Sequence, residues 1–174
     1  METKGVSDKI AILVEDDYED LELWYPYYRL KEACYVPIIV GPGTKKVYKS
    51  KHGYEAVVDL DVDKAKFNDF VAVVIPGGFA PDRIRRHPHM NEFVRRMFDS
   101  GKLVAAICHG PSVLVSANIL KGRKATCFHS IKDDIINAGA RFIDDEVVVD
   151  RNLVTSRRPE DLPSFMKAIL SLLE

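Results

Sequence analysis

Cys108 is followed by His109, Gly110 and Pro111 and preceded by Leu103-Val104-Ala105-Ala106-Ile107. A thiol beside an imidazole offers a nucleophile and a base for covalent attack on a carbonyl. The apolar run suits one buried parallel strand. Gly110 and Pro111 mark a turn, and Ser112 to Ala117 reads as a helix. A strand turning sharply into a helix, with the nucleophile at the apex, is a nucleophile elbow. Ala106 stands where a strict pattern has its first Gly, and it is small enough to keep the turn tight. The helix N-terminus places partial positive charge and free N–H groups beside the sulfur, so the expected resting form is the thiolate. The His109 amide should face an oxyanion forming next to Cys108. A buried, inert cysteine is the plain alternative; the attached His109-Gly110-Pro111 outweighs it.

The elements that must hold this turn alternate along the chain. Lys9 to Val14, Val36 to Gly41, Val71 to Ile75, the Cys108 strand and Leu153 to Ser156 read as strands. Asp20 to Glu32, Pro81 to Arg86, Asn91 to Ser100, Ile131 to Asn137 and Asp161 to Leu173 read as helices, with Pro26 expected to kink the first. In that first helix Leu21, Trp24, Tyr25, Tyr28 and Leu30 are expected to form the apolar face. Val47 to Ser50 and Tyr54 to Asp59 should pair as a hairpin around Lys51-His52-Gly53. Phe142 to Ile143 and Val147 to Val149 are short strands. This alternation predicts an α/β fold with a mainly parallel sheet. Sites in such sheets lie beyond the C-terminal strand ends, where strand order reverses. Three loops rich in reactive groups meet that rule: Glu15 to Glu22, Gly77-Gly78 and Cys108-His109.

Composition narrows the partners. The 174 residues suit one domain with a sizeable core, and 47% hydrophobic with 29% charged residues is an ordinary globular balance. A formal net charge of -1 argues against nucleic acid or an anionic membrane as partner. No apolar run approaches a membrane span, and Met1 to Asp8 lacks the apolar core of a signal peptide. Three cysteines (Cys34, Cys108, Cys127) without framework spacing fit a reducing cytoplasm. Cys34 and Cys127 read as small hydrophobes. His87 and His89 lack a third ligand spaced for a metal, so no metal or cofactor is expected.

Seven stretches carry a resemblance. They are Tyr18-Glu19-Asp20-Leu21-Glu22-Leu23, Lys51-His52-Gly53-Tyr54, Ile75-Pro76-Gly77-Gly78, Ala106 to Pro111, Leu120-Lys121-Gly122-Arg123-Lys124, Asn137-Ala138-Gly139-Ala140 and Val147-Val148-Val149-Asp150. Together they resemble the intracellular protease I / Parkinson-disease deglycase family, of the class I glutamine-amidotransferase-like superfamily, and its protease branch in particular. The resemblance implies one domain over residues 1–174, folded as a flavodoxin-like three-layer α/β/α sandwich. It implies Cys108 as nucleophile and a carboxylic partner within Glu19-x-x-Glu22. The i, i+3 spacing puts both carboxyls on one helix face, and Glu22 is the expected neighbour of the sulfur, with Glu19 in support. A carboxyl buried beside a thiolate should have a raised pKa and could serve as general acid. Asp82 matches the acid that orients His109 across a subunit boundary, though the family usually has Glu there. The side chain of His109 is expected to leave the elbow away from the sulfur. Gly77 and Gly78 should let the backbone approach substrate and offer an amide opposite that of His109.

Two departures bear on chemistry. Ser156-Arg157-Arg158-Pro159-Glu160 stands where glutaminases carry a catalytic His, which argues against glutaminase activity. Phe128 stands where the protease branch often has Tyr, with His129 as a possible stand-in. The expected function is a cysteine-dependent hydrolase acting on small-molecule or peptide carbonyls, by peptide hydrolysis or glyoxalase/deglycase chemistry. Redox sensing or chaperoning through Cys108 is the alternative. The resemblance also implies a homodimer or homohexamer.

Overall fold

The computed structural model describes residues 8–174. The polar start read above as lacking a signal-peptide core lies, except for Asp8, outside the described residues. In chain order the elements are β1 (Lys9–Leu13), α1 (Asp20–Glu32), β2 (Val36–Gly41), β3 (Val47–Lys49), β4 (Glu55–Val57), β5 (Leu60–Asp61), β6 (Ala72–Ile75), α2 (Ala80–Ile84), α3 (Pro88–Asp99), β7 (Leu103–Ile107), α4 (Pro111–Ser116), β8 (Lys124–Ala125), α5 (Lys132–Asn137), β9 (Arg141–Phe142), β10 (Val147–Asp150), β11 (Leu153–Ser156) and α6 (Leu162–Leu173).

The main sheet has seven strands in the order β10-β11-β7-β6-β1-β2-β5. All neighbours pair in parallel except β10, which runs antiparallel to β11. Without the edge strands β5 and β10 the order is the doubly wound flavodoxin-like one. Continuous apolar sequence is the reason these strands sit centrally: β6 and β7 are buried throughout, and β1 is buried beyond Lys9. Right-handed crossovers that leave β1 in opposite directions must place their helices on opposite faces of the sheet. Accordingly α1 packs with α6, while α2, α3, α4 and α5 form a second group. The result is a three-layer α/β/α sandwich.

Element bounds follow the sequence reading closely, with two instructive differences. Helix α3 begins at Pro88, earlier than Asn91, because His87 takes the extended cap position and Pro88 suits the first helical turn. Helix α1 has the expected span but a different core face. Glu22, Leu23, Pro26 and Leu30 are buried, whereas Leu21, Tyr25 and Tyr28 are exposed. A carboxyl group therefore occupies a position that an apolar pattern would give to solvent. The helix runs continuously through Pro26, whose missing N–H deprives the Glu22 carbonyl of its helical donor. Among the described residues no helix is long and apolar enough to cross a membrane.

Candidate active site

The site forms where the loops after β1, β6 and β7 meet, at the reversal of strand order between β1 and β6. Short backbone bonds lock these loops together. Glu19 N donates to Gly77 O at 3.2 Å, Phe79 N to Asp17 O at 2.9 Å, and Lys51 N to Tyr18 O at 3.0 Å. The Tyr18 segment is thus clamped between Gly77-Gly78-Phe79 and the β3–β4 hairpin. The hairpin tip read from Lys51-His52-Gly53 is part of the site wall.

Cys108 has φ +63°, a left-handed conformation that costs a non-glycine residue about 1–3 kcal/mol. Backbone bonds on both sides hold it: Cys108 N donates to Ser156 O at 3.0 Å, and Phe128 N to Cys108 O at 2.8 Å. The residue is only 8% exposed. The glycine pair opposite leaves no room to spare. A Cβ on Gly77 would fall 2.4 Å from Glu22 Oε2 and 2.6 Å from Cys108 Cβ, so both side chains crowd the same spot. Gly78, at φ +75°, lies so close to the Asp17–Glu19 backbone that any side chain there would collide with it.

Glu22 is fully buried. Its Oε2 accepts from Gly77 N at 2.7 Å, and its Oε1 has no hydrogen-bond partner among the described residues. Burial pushes its pKa up to about 8, against the pull of the Gly77 amide, with the Glu19 charge adding to the rise. Glu22 is therefore neutral at pH 7. Glu19 caps α1 through Leu21 N and forms an ion pair with Lys51. That pairing keeps a cation near the sulfur, since Cys108 and Glu22 both raise the Lys51 pKa.

Burial likewise pushes the Cys108 thiol up to about 12, with the Glu22 charge as second cause; amides of Gly78 and His109 pull the other way. The expected resting thiolate is therefore replaced by a thiol. The helix that was to favour the ion, α4, is only six residues long, and its contribution does not match the cost of desolvation. The sulfur-facing amides are those of Gly78 and His109, because the Gly77 N–H is already taken by Glu22.

His109 also departs from expectation. Its Nδ1 lies 3.3 Å from Cys108 Sγ, so the ring turns toward the sulfur. Its Nε2 meets Ser130 Oγ at 3.0 Å, and the ring stacks on Phe128 at 4.9 Å between centroids. Burial and the Lys51 charge lower its pKa, which leaves it neutral and able to accept a proton. Asp82 sits exposed in the first turn of α2, and among the described residues the side-chain hydrogen-bond partners of His109 are Cys108 and Ser130, not Asp82. Ser130 is the residue that sequence reading missed. It lies twenty-one positions from His109, in a short helical turn, and no local pattern signals the pairing.

His87 and His89 diverge: the first meets Glu15 at 2.9 Å, the second Asp63. Among the described residues no group of three His, Cys, Asp or Glu side chains could hold a metal ion. The chemistry available at the site is nucleophilic attack by sulfur, with a neutral base on one side and a neutral acid on the other.

Comparison with known proteins places the chain among relatives. The chain is 48% identical over 166 residues to Deglycase PfpI of Pyrococcus furiosus, covering 95% of this chain and 99% of that one. It is 42% identical over 169 residues to Putative cysteine protease YraA of Bacillus subtilis, covering 97% and 100% respectively. A solved two-domain protein of Anabaena variabilis, with DJ-1/ThiJ/PfpI-like and ferritin-like domains, superposes with a TM-score of 0.93 at 46% identity. That match covers 95% of this chain and 48% of the other. The family model matches residues 8–172, and the chain belongs to the DJ-1/PfpI family.

Proposed function

We propose that this chain is a cysteine-dependent hydrolase of the deglycase and glyoxalase type, acting on small dicarbonyls such as methylglyoxal and on their adducts. One observation carries the reading: Cys108 Sγ lies beside a neutral base, His109, and a buried neutral acid, Glu22. Sulfur attacks the aldehyde carbon as its proton passes to His109 Nδ1. The carbonyl oxygen, held by the Gly78 and His109 amides, takes the proton of Glu22. With Oε2 accepting from Gly77, that proton resides on Oε1. The resulting Glu22 carboxylate removes the proton from the former aldehyde carbon while the His109 imidazolium gives its proton to the ketone oxygen, forming an enediol. Glu22 then protonates the neighbouring carbon and takes up the proton of the hydroxyl on the former aldehyde carbon, which leaves His109 and Glu22 neutral again. A lactoyl thioester forms. Water, deprotonated by His109, hydrolyses it to lactate and free thiol, so one methylglyoxal and one water become one lactic acid.

Peptide hydrolysis demands more, because an amine leaving group must be protonated by a firmly oriented imidazolium. The names of the two relatives span both activities, and the geometry favours the carbonyl reaction. Steady-state kinetics with methylglyoxal and with a fluorogenic peptide, on wild type and Cys108→Ala, test this. Faster methylglyoxal turnover that Cys108→Ala abolishes is the expected result. Turnover surviving that substitution would overturn the assignment.

The redox alternative requires an exposed, low-pKa thiolate, and the buried, raised thiol does not favour it. The homodimer or homohexamer is kept as a proposal, supported by the exposed aromatic face of Tyr25, Tyr28 and Tyr54. A cytoplasmic site of action is likewise proposed, from the free cysteines. Light scattering and cell fractionation test the two.

A further inference from the structure

Phe128, whose ring stacks on His109, also lines a cavity. The cavity measures about 380 Å³ and lies between the segment from Cys127 to Lys132 and the pair Arg157-Arg158. Both walls hang from the elbow residue. Phe128 N donates to the Cys108 carbonyl, and Ser156, immediately before Arg157, accepts from the Cys108 amide. Phe128 is the partition, since its ring lines this cavity and also stacks on His109.

The charges in the cavity are unequally matched. Arg157 is fully engaged, with Asp161 on Nε and Nη2 at 2.9 and 3.2 Å and Asp144 on Nη1 at 2.9 Å. Arg158 has a distant ion pair with exposed Glu160, at 3.9 Å, and its charge also acts on Asp144, which Arg157 already holds. Lys132 lies 5.2 Å from the centre of the Phe142 ring and has no carboxylate partner among the described residues. Two cations thus face a space floored by aromatic rings, with the one acidic wall residue, Asp144, already held by Arg157. A guanidinium and an ammonium over low-dielectric walls are suited to bind an oxyanion, bidentate at the arginine. A three-carbon dicarbonyl leaves most of such a volume empty, whereas cavities of this size usually take larger ligands.

We propose that this cavity is a subsite for a carboxylate or phosphate on the carrier of a methylglyoxal hemithioacetal, gripped by Arg158 and Lys132 as the carrier C–S bond breaks, the carrier thiol leaves with the hydroxyl proton, and Cys108 attacks the aldehyde so released. The inference rests on the function proposed above. It makes the preferred substrate an anionic adduct rather than free methylglyoxal.

The test compares methylglyoxal hemithioacetals of N-acetylcysteine, which carries a carboxylate, and of N-acetylcysteinamide, which does not. Wild type should favour the carboxylate by about tenfold in kcat/KM, the size of a charge-assisted contact. The preference should fall toward one in Arg158→Gln and in Lys132→Gln, both at surface positions that leave the fold intact by circular dichroism. Equal turnover of the two adducts by wild type would overturn the subsite. Calorimetric titration with inorganic phosphate and with acetate reads the site without turnover and separates the two oxyanion classes. If wild type turns over neither adduct, the proposed function fails. The subsite then stands if either anion binds and Arg158→Gln weakens it about tenfold, and falls if neither binds.

Discussion

Cys108 and Cys127 are both buried, at 8% and 2% exposure, and burial pushes both thiols up to about 12. By desolvation alone they are equivalent. Cys127 lies just past the short strand β8, and the charge of Asp134 adds to the rise that burial gives it. Cys108 sits at a strained turn with two amides, an acid and a base around its sulfur. The difference teaches that a low resting pKa does not mark the nucleophile here. What marks it is that the thiol proton and the negative charge formed on attack each have somewhere to go.

The largest expected effect comes from exchanging the two cysteines' fates. Cys108→Ser should lower kcat/KM for methylglyoxal by at least about 10³, since a hydroxyl is a far weaker nucleophile in the same geometry. Comparable losses from Cys127→Ser would break the comparison, and its expected effect is within about twofold.

Next is the acid, which Cys127 lacks. Glu22→Gln should cost about 10² in kcat. Wild-type activity should fall as pH rises through about 8, where Glu22 ionises, and the variant should lose that limb. Stability has the same sign. The folded pKa of Glu22 lies above the unfolded value of 4.5, so its contribution is complete below pH 4.5 and is lost as pH climbs to about 8. Urea midpoints at pH 5 and pH 8 should therefore diverge in wild type and converge in Glu22→Gln.

A smaller effect sharpens the role of the base. Ser130→Ala should lower kcat about fivefold, one neutral hydrogen bond's worth of orientation, and change the acid limb of the pH profile set by His109. Asp82→Asn should cost less. A reversed ranking would assign the orientation of His109 to an acid delivered by another subunit.

The smallest effect concerns oxidation. Under mild peroxide, intact-mass and peptide mapping should find exposed Cys34 modified before either buried cysteine. Oxidation of Cys108 first would restore the redox reading.

Much of this was legible before any coordinates. Parallel strands buried on both faces read as unbroken apolar runs, so β7 has the bounds expected of it. The elbow and the glycine pair were equally plain, because tight turns admit few residue types. The buried face of α1 was not. Apolar periodicity assigns Leu21, Tyr25 and Tyr28 to the core, but Glu22 occupies it, since a functional carboxyl breaks the rule that the pattern relies on. The direction of the His109 ring and its Ser130 partner were likewise hidden, because the contact joins residues far apart in sequence.

The order of strands and helices, and the identity of the nucleophile, were thus set by local patterns of burial and turn chemistry that a chain carries in itself. Protonation was decided only by the tertiary structure. Glu22 is neutral, Cys108 is a thiol and His109 is a base because of how the folded loops exclude water and aim amides and charges, and desolvation is a property of the assembled site rather than of any residue in it.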